Sequence, residues 1–499
     1  MLRVAAVPTH GLRTAKLLHA FSGARHELER LLLSLGAMET STSRLIHKYD
    51  RPGPRYTSYP TVPAWTEAFG PEDLARKLDE AGAAGDDLPL SLYAHLPFCK
   101  EMCTYCGCNV VISQNRQKHA EYVEVIRQEI DLVADRLGRR NQLLQIHYGG
   151  GTPTMLDEPL LIRLWDKITE RFSVLRDAEI AIEIDPVVTS REQLALLRGM
   201  GFNRISMGVQ DFTPEVQRAV NRVQSVEQTR ALVEYTRKLG YRGINFDLIY
   251  GLPHQKLETF ANTIEHVIDC APDRVAIFSY AHVPHLRPHQ KKIDESWLPK
   301  GEDKYALFAH ARERLLASGY VPIGMDHFAR TDDELAVAQR ERRLSRNFQG
   351  YTVRPAPDIV AVGATAIADV RGAYAQNVRP LGQYYDAVRN GRFATEKGAW
   401  LSADDLLRRD AINAIMCNFH LDLRALSAKH GVDAEVALAP SIARLDEMER
   451  DGLVHRSPGV IDVTDEGRTF VRNVAMEFDA YLGRPPAPGK KLPIFSRTI

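Results

Sequence analysis

The chain has 499 residues, enough for a large catalytic domain with smaller pieces attached. Its 64 basic and 64 acidic side chains cancel to a formal net charge of zero, which removes the electrostatic footprint of a protein that binds nucleic acid or an anionic membrane. No stretch approaches the roughly 18 consecutive apolar residues of a membrane-spanning helix, so neither membrane insertion nor a nucleic-acid partner is expected.

In chain order, residues 1–45 read as an extension rich in Arg, Leu and Ala, expected to be disordered, with Met38 preferred as the true start. Residues 46–90 form an aromatic segment expected to face a substrate. From about Ser91, β-rich runs alternate with amphipathic helical patterns. The strand candidates are Ser91–His95, Leu144–Tyr148, Glu179–Ile184, Arg204–Val209, Gly243–Ile249 and Arg274–Ser279. The helical stretches include His119–Leu137, Leu160–Phe172, Arg191–Met200, Val226–Leu239 and Leu257–Cys270. This alternation predicts an α/β fold with parallel strands, a partial (β/α)6 TIM-type barrel over residues 91–400. The strand ends read HLPFC, HYGGGTP, EIDP, GVQD, FDLIYGLP and SYAHVP. Chemistry in β/α barrels collects at the C-terminal ends of the strands, and here each end carries a Gly, Pro, carboxylate, amide or Cys.

Residues 401–482 predict a small, mainly helical, winged-helix-like domain, with helices over Asp404–Cys417, Asp422–His430 and Glu435–Asp451 and a hairpin over Leu453–Val463. Its third helix has no basic stripe, so a cover over the site is expected rather than DNA binding. Residues 483–499 read as a tail.

Four of the six cysteines, Cys99, Cys103, Cys106 and Cys108, fall in one loop directly after a strand; Cys270 and Cys417 are scattered and read as inert buried thiols. This clustering points to metal or redox chemistry in a reducing, cytoplasmic setting rather than to disulfides. A C-x3-C-x2-C loop offers three thiolates, which on a four-iron cluster leave one iron open to a substrate. A structural zinc site would prefer two paired knuckles. Spacing alone does not separate the open cluster from a closed one with Cys108 as fourth ligand.

The loop resembles the signature of the radical S-adenosylmethionine (SAM) superfamily, with Tyr105 as the aromatic beside the last ligand. That resemblance implies a 4Fe-4S cluster on Cys99, Cys103 and Cys106, whose open iron binds SAM for reductive cleavage to methionine and a 5′-deoxyadenosyl radical. The segment Gly149-Gly150-Gly151-Thr152-Pro153 is similar to the glycine-rich turn that contacts the methionine amino group. Arg55-Tyr-Thr-Ser-Tyr-Pro-Thr61, Tyr93-Ala-His95, Cys108-Asn109, Gly324-Met-Asp-His327-Phe328 and Asn347-Phe-Gln-Gly350-Tyr-Thr352 narrow the match. They are similar to the oxygen-independent coproporphyrinogen III oxidase (dehydrogenase) family over about Ile46 to Leu482. The resemblance implies conversion of two propionates of coproporphyrinogen III to vinyl groups, giving protoporphyrinogen IX in haem biosynthesis, with two SAM molecules bound side by side. It assigns Tyr93, Tyr105, Gly150, Gly151, Thr152, Glu183, Gln210, Arg222, Asp247, Ala281 and Ile367 to SAM contacts, and Tyr93 and Cys108 to catalysis. It further implies a low-potential electron donor, and a monomer is the default. The substrate's carboxylates ask for cations, for which Arg55, Arg287, His289 and Lys291 stand ready. The alternative is a haem chaperone relative that binds and delivers haem. Such relatives lack the fourth cysteine and the RYTSYPT stretch, both present here.

Overall fold

The computed structural model describes residues 44–484 and 495–498. Residues 1–43 of the expected extension, Met38 included, and most of the expected tail lie outside the described residues. Six strands, β1 (Leu90–Leu96), β2 (Gln142–Gly150), β3 (Ser173–Ile184), β4 (Arg204–Gln210), β5 (Gly243–Tyr250) and β6 (Arg274–Ser279), pair in parallel and in sequence order. Between and after them run helices α1 (Arg116–Leu137), α2 (Glu158–Arg171), α3 (Arg191–Gly199), α4 (Val226–Lys238), α5 (Leu257–Cys270) and α6 (Gly301–Ala317). Asn115, Asp157, Ser190 and Ser225 accept hydrogen bonds from first-turn amides of α1 to α4. These four crossover helices thus have fixed starts, leaving the loop before each free for chemistry.

The six strand–helix units sit as the alternation predicted. The structure adds six strands: β7 (Tyr320–Gly324), β8 (His327–Arg330), β9 (Asp358–Val362), β10 (Ile367–Asp369), β11 (Ala373–Asn377) and β12 (Thr395–Trp400). All twelve form one sheet in the order β12-β11-β10-β9-β1-β2-β3-β4-β5-β6-β8-β7. β9 extends the parallel centre beside β1, and the outer strands are antiparallel.

The strand period of two sorts the residues. Leu92, Ile146, Ile182, Ile205, Ile244 and Phe246 are buried in the main core with the helices. Their neighbours Tyr93, His147, Glu183, Ser206, Asn245 and Asp247 therefore share the opposite, inner face. Arg140 and Asp358, both fully buried, form an ion pair of 2.7 Å that ties the end of α1 to β9. Among the described residues no helix is long and apolar enough to cross a membrane.

The C-terminal unit has helices Ala403–Asn418 and Leu423–His430 as expected. Its expected third helix over Glu435–Asp451 is instead three short helices, Ala434–Ala437, Ala439–Ala443 and Asp446–Arg450. Pro440 lacks the N–H that a continuous helix would need. The hairpin Val454–Ser457 and Val460–Val463 is joined by a third strand, His420–Asp422. Leu45, Tyr49, Tyr56 and Tyr59 complete this unit's core. The Tyr56 hydroxyl donates to Asp479 at 3.0 Å, and the Tyr59 hydroxyl accepts from the Ala480 amide at 2.9 Å. Two tyrosines of the RYTSYPT stretch are thus structural, while Arg55 turns towards the sheet. Thr498 is also buried there, its amide donating to the Arg51 carbonyl.

Candidate active site

The cysteine loop leaves β1 and crosses the strand ends. Its start, Phe98–Cys99, pairs with Val111–Ile112. Cys99, Cys103 and Cys106 are half-buried, Cys108 is exposed, and all four are free thiols. Groups from the far side of the sheet clamp the loop's backbone. The Thr104 amide donates to the Val220 carbonyl at 3.0 Å, and Asn221 Nδ2 donates to the Met102 carbonyl at 3.0 Å. His289 Nε2 donates to the Cys106 carbonyl at 2.7 Å, and Gln290 Nε2 reaches the carbonyls of Tyr105 and Ala281. His289, expected to meet a substrate carboxylate, is therefore used to hold the loop. Ala281 is brought beside Tyr105 by the shared Gln290 amide.

Burial pushes the Cys99 thiol up to about 11 and raises that of Cys103. The hydrogen bond with the Cys108 side chain lowers Cys106 to about 7, and the same contact raises Cys108 well above the usual range. Arg222 favours the thiolate at Cys99, Cys103 and Cys106. Among the described residues no three His, Cys, Asp or Glu side chains converge tightly enough for a single ion. A four-iron cluster binds each thiolate on its own iron and asks for no such convergence. Three free thiols on a clamped loop beside a guanidinium fit that group.

β2 ends in the glycine turn. A Cβ on Gly151 would lie 2.5 Å from the Pro97 carbonyl oxygen, and one on Gly150, at φ +121°, would lie 2.7 Å from the His95 ring. The turn must therefore be bare backbone. The Gly151 amide donates to Leu96 at 2.9 Å, the Thr152 amide to Phe98 at 2.8 Å, and Thr152 Oγ1 lies 3.6 Å from Cys99 Sγ. Glu183 accepts from the Gly150 amide at 3.0 Å and pairs with His147 Nε2 at 3.2 Å. Burial would raise its carboxyl, but His147 and the Gly150 amide hold it below the usual range.

Tyr93 stacks on His147 with ring centroids 5.9 Å apart. Its hydroxyl lies 3.1 Å from Nδ1 of His95, whose Nε2 lies 3.1 Å from the Asn109 carbonyl. A carbonyl only accepts, so Nε2 carries the proton and Nδ1 accepts from Tyr93; burial keeps the ring neutral by lowering its pKa. Asp247 accepts from Ser206 at 2.7 Å and Asn245 at 2.8 Å, and burial raises its carboxyl. Gln210 stands at φ +64°, at a bulge that ends β4. Arg222, expected to meet the methionine carboxylate, pairs with Asp185 at 2.6 Å and caps the Gly208 carbonyl at 2.9 Å, while its Nε is buried without a partner. Ile367 opens β10, just past a turn in which Thr365 Oγ1 lies 3.4 Å from His95 Nε2, and packs near Trp65 and Phe348. Arg287 is half-buried and Lys291 exposed in the segment after β6.

The structure thus gathers the expected residues of β1 to β5 around one mouth. His95, His147, Ser206, Asn245 and Asp185 were missed as site residues. Four of them share the strand run or alternate positions of residues already singled out, and that spacing was the available signal.

The pattern that defines the Radical SAM superfamily matches residues 93–267, and that of the HemN C-terminal domain matches residues 401–470. Over 457 residues the chain is 42% identical to the oxygen-independent coproporphyrinogen III oxidase of Pseudomonas aeruginosa, covering 91% of this chain and 98% of that protein. The enzymes of the same description from Salmonella typhimurium and Escherichia coli are 44% and 43% identical, each likewise covering 91% of this chain and 98% of the relative. The solved structure of Escherichia coli coproporphyrinogen III oxidase, described as a radical SAM enzyme, superposes with a TM-score of 0.83 at 43% identity, covering 86% of this chain and 98% of that one.

Proposed function

The chain belongs to the oxygen-independent coproporphyrinogen III oxidase family within the radical SAM superfamily, and from that premise we propose how its residues carry out the reaction. It is an oxidoreductase of haem biosynthesis that uses an iron–sulfur cluster and SAM. Two propionates of coproporphyrinogen III become vinyl groups, each losing carbon dioxide, one hydrogen atom and one further electron, and each consuming one SAM. Cys99, Cys103 and Cys106 would hold the 4Fe-4S cluster and leave one iron for SAM. When bound, the cluster and SAM would supply radical chemistry for removing hydrogen from the propionate β-carbon, with electrons from a low-potential donor.

The chain's own residues orient the reactants. Bare backbone at Gly150 and Gly151 lets the methionine part of SAM approach closely. Thr152 joins that turn to Cys99. Glu183 and Asp247 are carboxylates on the inner face, placed to accept from ribose hydroxyls, and Gln210 offers an amide beside them. Arg222 favours the anionic groups above it, and Tyr105, Ala281 and Ile367 complete the walls around two SAM molecules. Tyr93 presents its ring on His147, with its proton committed to His95 Nδ1. Cys108, exposed beside Cys106, interacts electrostatically with Tyr93, and the two would act together on the substrate.

The observation that carries this reading is the trio of free thiols clamped across the strand ends against the glycine turn. The test is anaerobic reconstitution with iron and sulfide, then reduction with SAM and coproporphyrinogen III present. Methionine, 5′-deoxyadenosine and a divinyl product are expected. SAM cleavage without decarboxylation would keep the superfamily chemistry and discard the substrate.

A further inference from the structure

On the side of the mouth away from the cysteines, three guanidiniums gather around one carboxylate. Arg55 is ion-paired with buried Asp326, whose other oxygen lies 2.8 Å from His327 Nδ1. Arg346 Nη1 donates to the Arg55 carbonyl at 2.6 Å. Arg472 caps the carbonyls of Gly53, Pro54 and Arg497. After burial, the charges of Arg55 and Arg346 act with it to push Arg472 down to about 10, a sign of how closely the cations crowd. Among the described residues neither Arg346 nor Arg472 has a carboxylate in salt-bridge contact, so the group carries surplus positive charge.

Arg346 is half-buried and, unlike Arg55, has no carboxylate partner among the described residues. It lies directly opposite Tyr351 in the hairpin Ser345–Asn347 and Gly350–Thr352, its guanidinium 5.3 Å from the Tyr351 ring centroid. The hairpin rests on the inner face of the sheet, where Thr352 Oγ1 accepts from Gln145 of β2 at 2.8 Å. Arg346 Nε and the Tyr351 hydroxyl are both buried without a partner, and Tyr351 is only 9% exposed. The idle Arg346 Nε is costly unless an acceptor arrives. The wall beside them is aromatic: His327 meets Tyr351 at 5.1 Å and Phe278, at the end of β6, at 5.6 Å, and the Arg55 guanidinium lies 5.8 Å from the Phe278 centroid. Asp247 pairs across the sheet with Ala276, and Ala276 with His327, so this wall lies two strands from Asp247 on the same face.

We propose that Arg346, with Tyr351 beside it and Arg55 behind it, receives a carboxylate of the tetrapyrrole substrate: a propionate arm that does not react in that turnover. The proposal rests on the coproporphyrinogen reading above. A planar guanidinium matches a carboxylate with two parallel N–H bonds, and with Nη1 held by the Arg55 carbonyl the Nε edge of Arg346 is left for them. The flat apolar wall of Phe278 and His327 suits the macrocycle that carries the arm. Asp326 acts as a positioning residue that keeps Arg55 in place without cancelling Arg346.

The experiment compares Arg346→Gln, Arg346→Lys and the intact protein after anaerobic reconstitution. Binding is read by quenching of coproporphyrin III fluorescence, and KM is read separately with coproporphyrinogen III. Arg346→Gln should weaken both roughly ten- to hundredfold, the range of one charged hydrogen-bonded contact. Cluster absorbance and SAM binding should stay as in the intact protein. Arg346→Lys, which keeps the charge and loses the fork, should fall between. Unchanged quenching and KM in Arg346→Gln would overturn the assignment, as would loss of cluster absorbance in both variants, which would make Arg346 structural. Because quenching needs no turnover, an intact protein that binds the porphyrin and forms no vinyl product would refute the decarboxylation and leave this test standing.

Discussion

The two walls of the mouth are built by different means. The cysteine wall is held through its own backbone groups: amides of Thr104, Gly150, Gly151 and Thr152 donate from it, and the carbonyls of Met102, Tyr105 and Cys106 accept from the side chains of Asn221, Gln290 and His289. The arginine wall is held by side chains from distant parts of the chain, such as Arg55 and Asp326, which are 271 residues apart. A backbone-fixed wall has one shape, which suits a cofactor that must always sit in the same place. A wall of paired charges can be retuned one side chain at a time, which suits the selection of a substrate by its carboxylates.

This contrast can be broken first at Glu183, a side chain that holds the glycine turn. Glu183→Gln removes the charge that pairs with His147 and receives the Gly150 amide. SAM binding by equilibrium dialysis should weaken roughly tenfold or more while the cluster stays intact. Undiminished binding would remove Glu183 from the SAM site. The next largest effect falls on the arginine wall. Burial favours the neutral form of Asp326, but Arg55 and His327 together hold its carboxyl below the usual range. The folded protein thus binds this proton less readily than the unfolded chain. Its stabilising effect is complete above the ordinary carboxylate value near 4 and is lost as the pH falls through the folded value. Asp326→Asn should cost on the order of 2–3 kcal/mol at neutral pH, between exposed and buried pairs, because the Arg55 side chain is 30% exposed. It should also flatten the acid side of the stability profile measured by denaturant unfolding. A variant as stable as the parent at pH 7 would show that the arginine wall does not depend on this pair.

The same contrast explains what could be read before the fold was known. Strands β1 to β6 run six to twelve residues and each is followed by a helical stretch, so the repeat makes them and the cysteine and glycine turns at their ends legible. Strands β7 to β12 have three to six residues each, too few for periodicity to register, and their placement depends on pairing. The arginine wall was half visible: Arg55 stood out beside the aromatic segment, while Arg346 had no local signal and becomes distinct only when Tyr351 faces it. His289 was expected to meet substrate and instead grips Cys106, because sequence places a side chain near the site without saying which way it turns. The third C-terminal helix failed at Pro440, whose missing N–H outweighed the helical spacing around it.

The central claim is that three thiolates, and not four, hold the cluster. Its most direct measurement is the iron and sulfide content of Cys106→Ser and Cys108→Ser after identical anaerobic reconstitution, together with SAM binding to the cluster. Cys108→Ser should retain a full cubane that still binds SAM, and Cys106→Ser should retain neither. Loss of the cluster in Cys108→Ser to the same extent would mean four ligands, no open iron and no place for SAM.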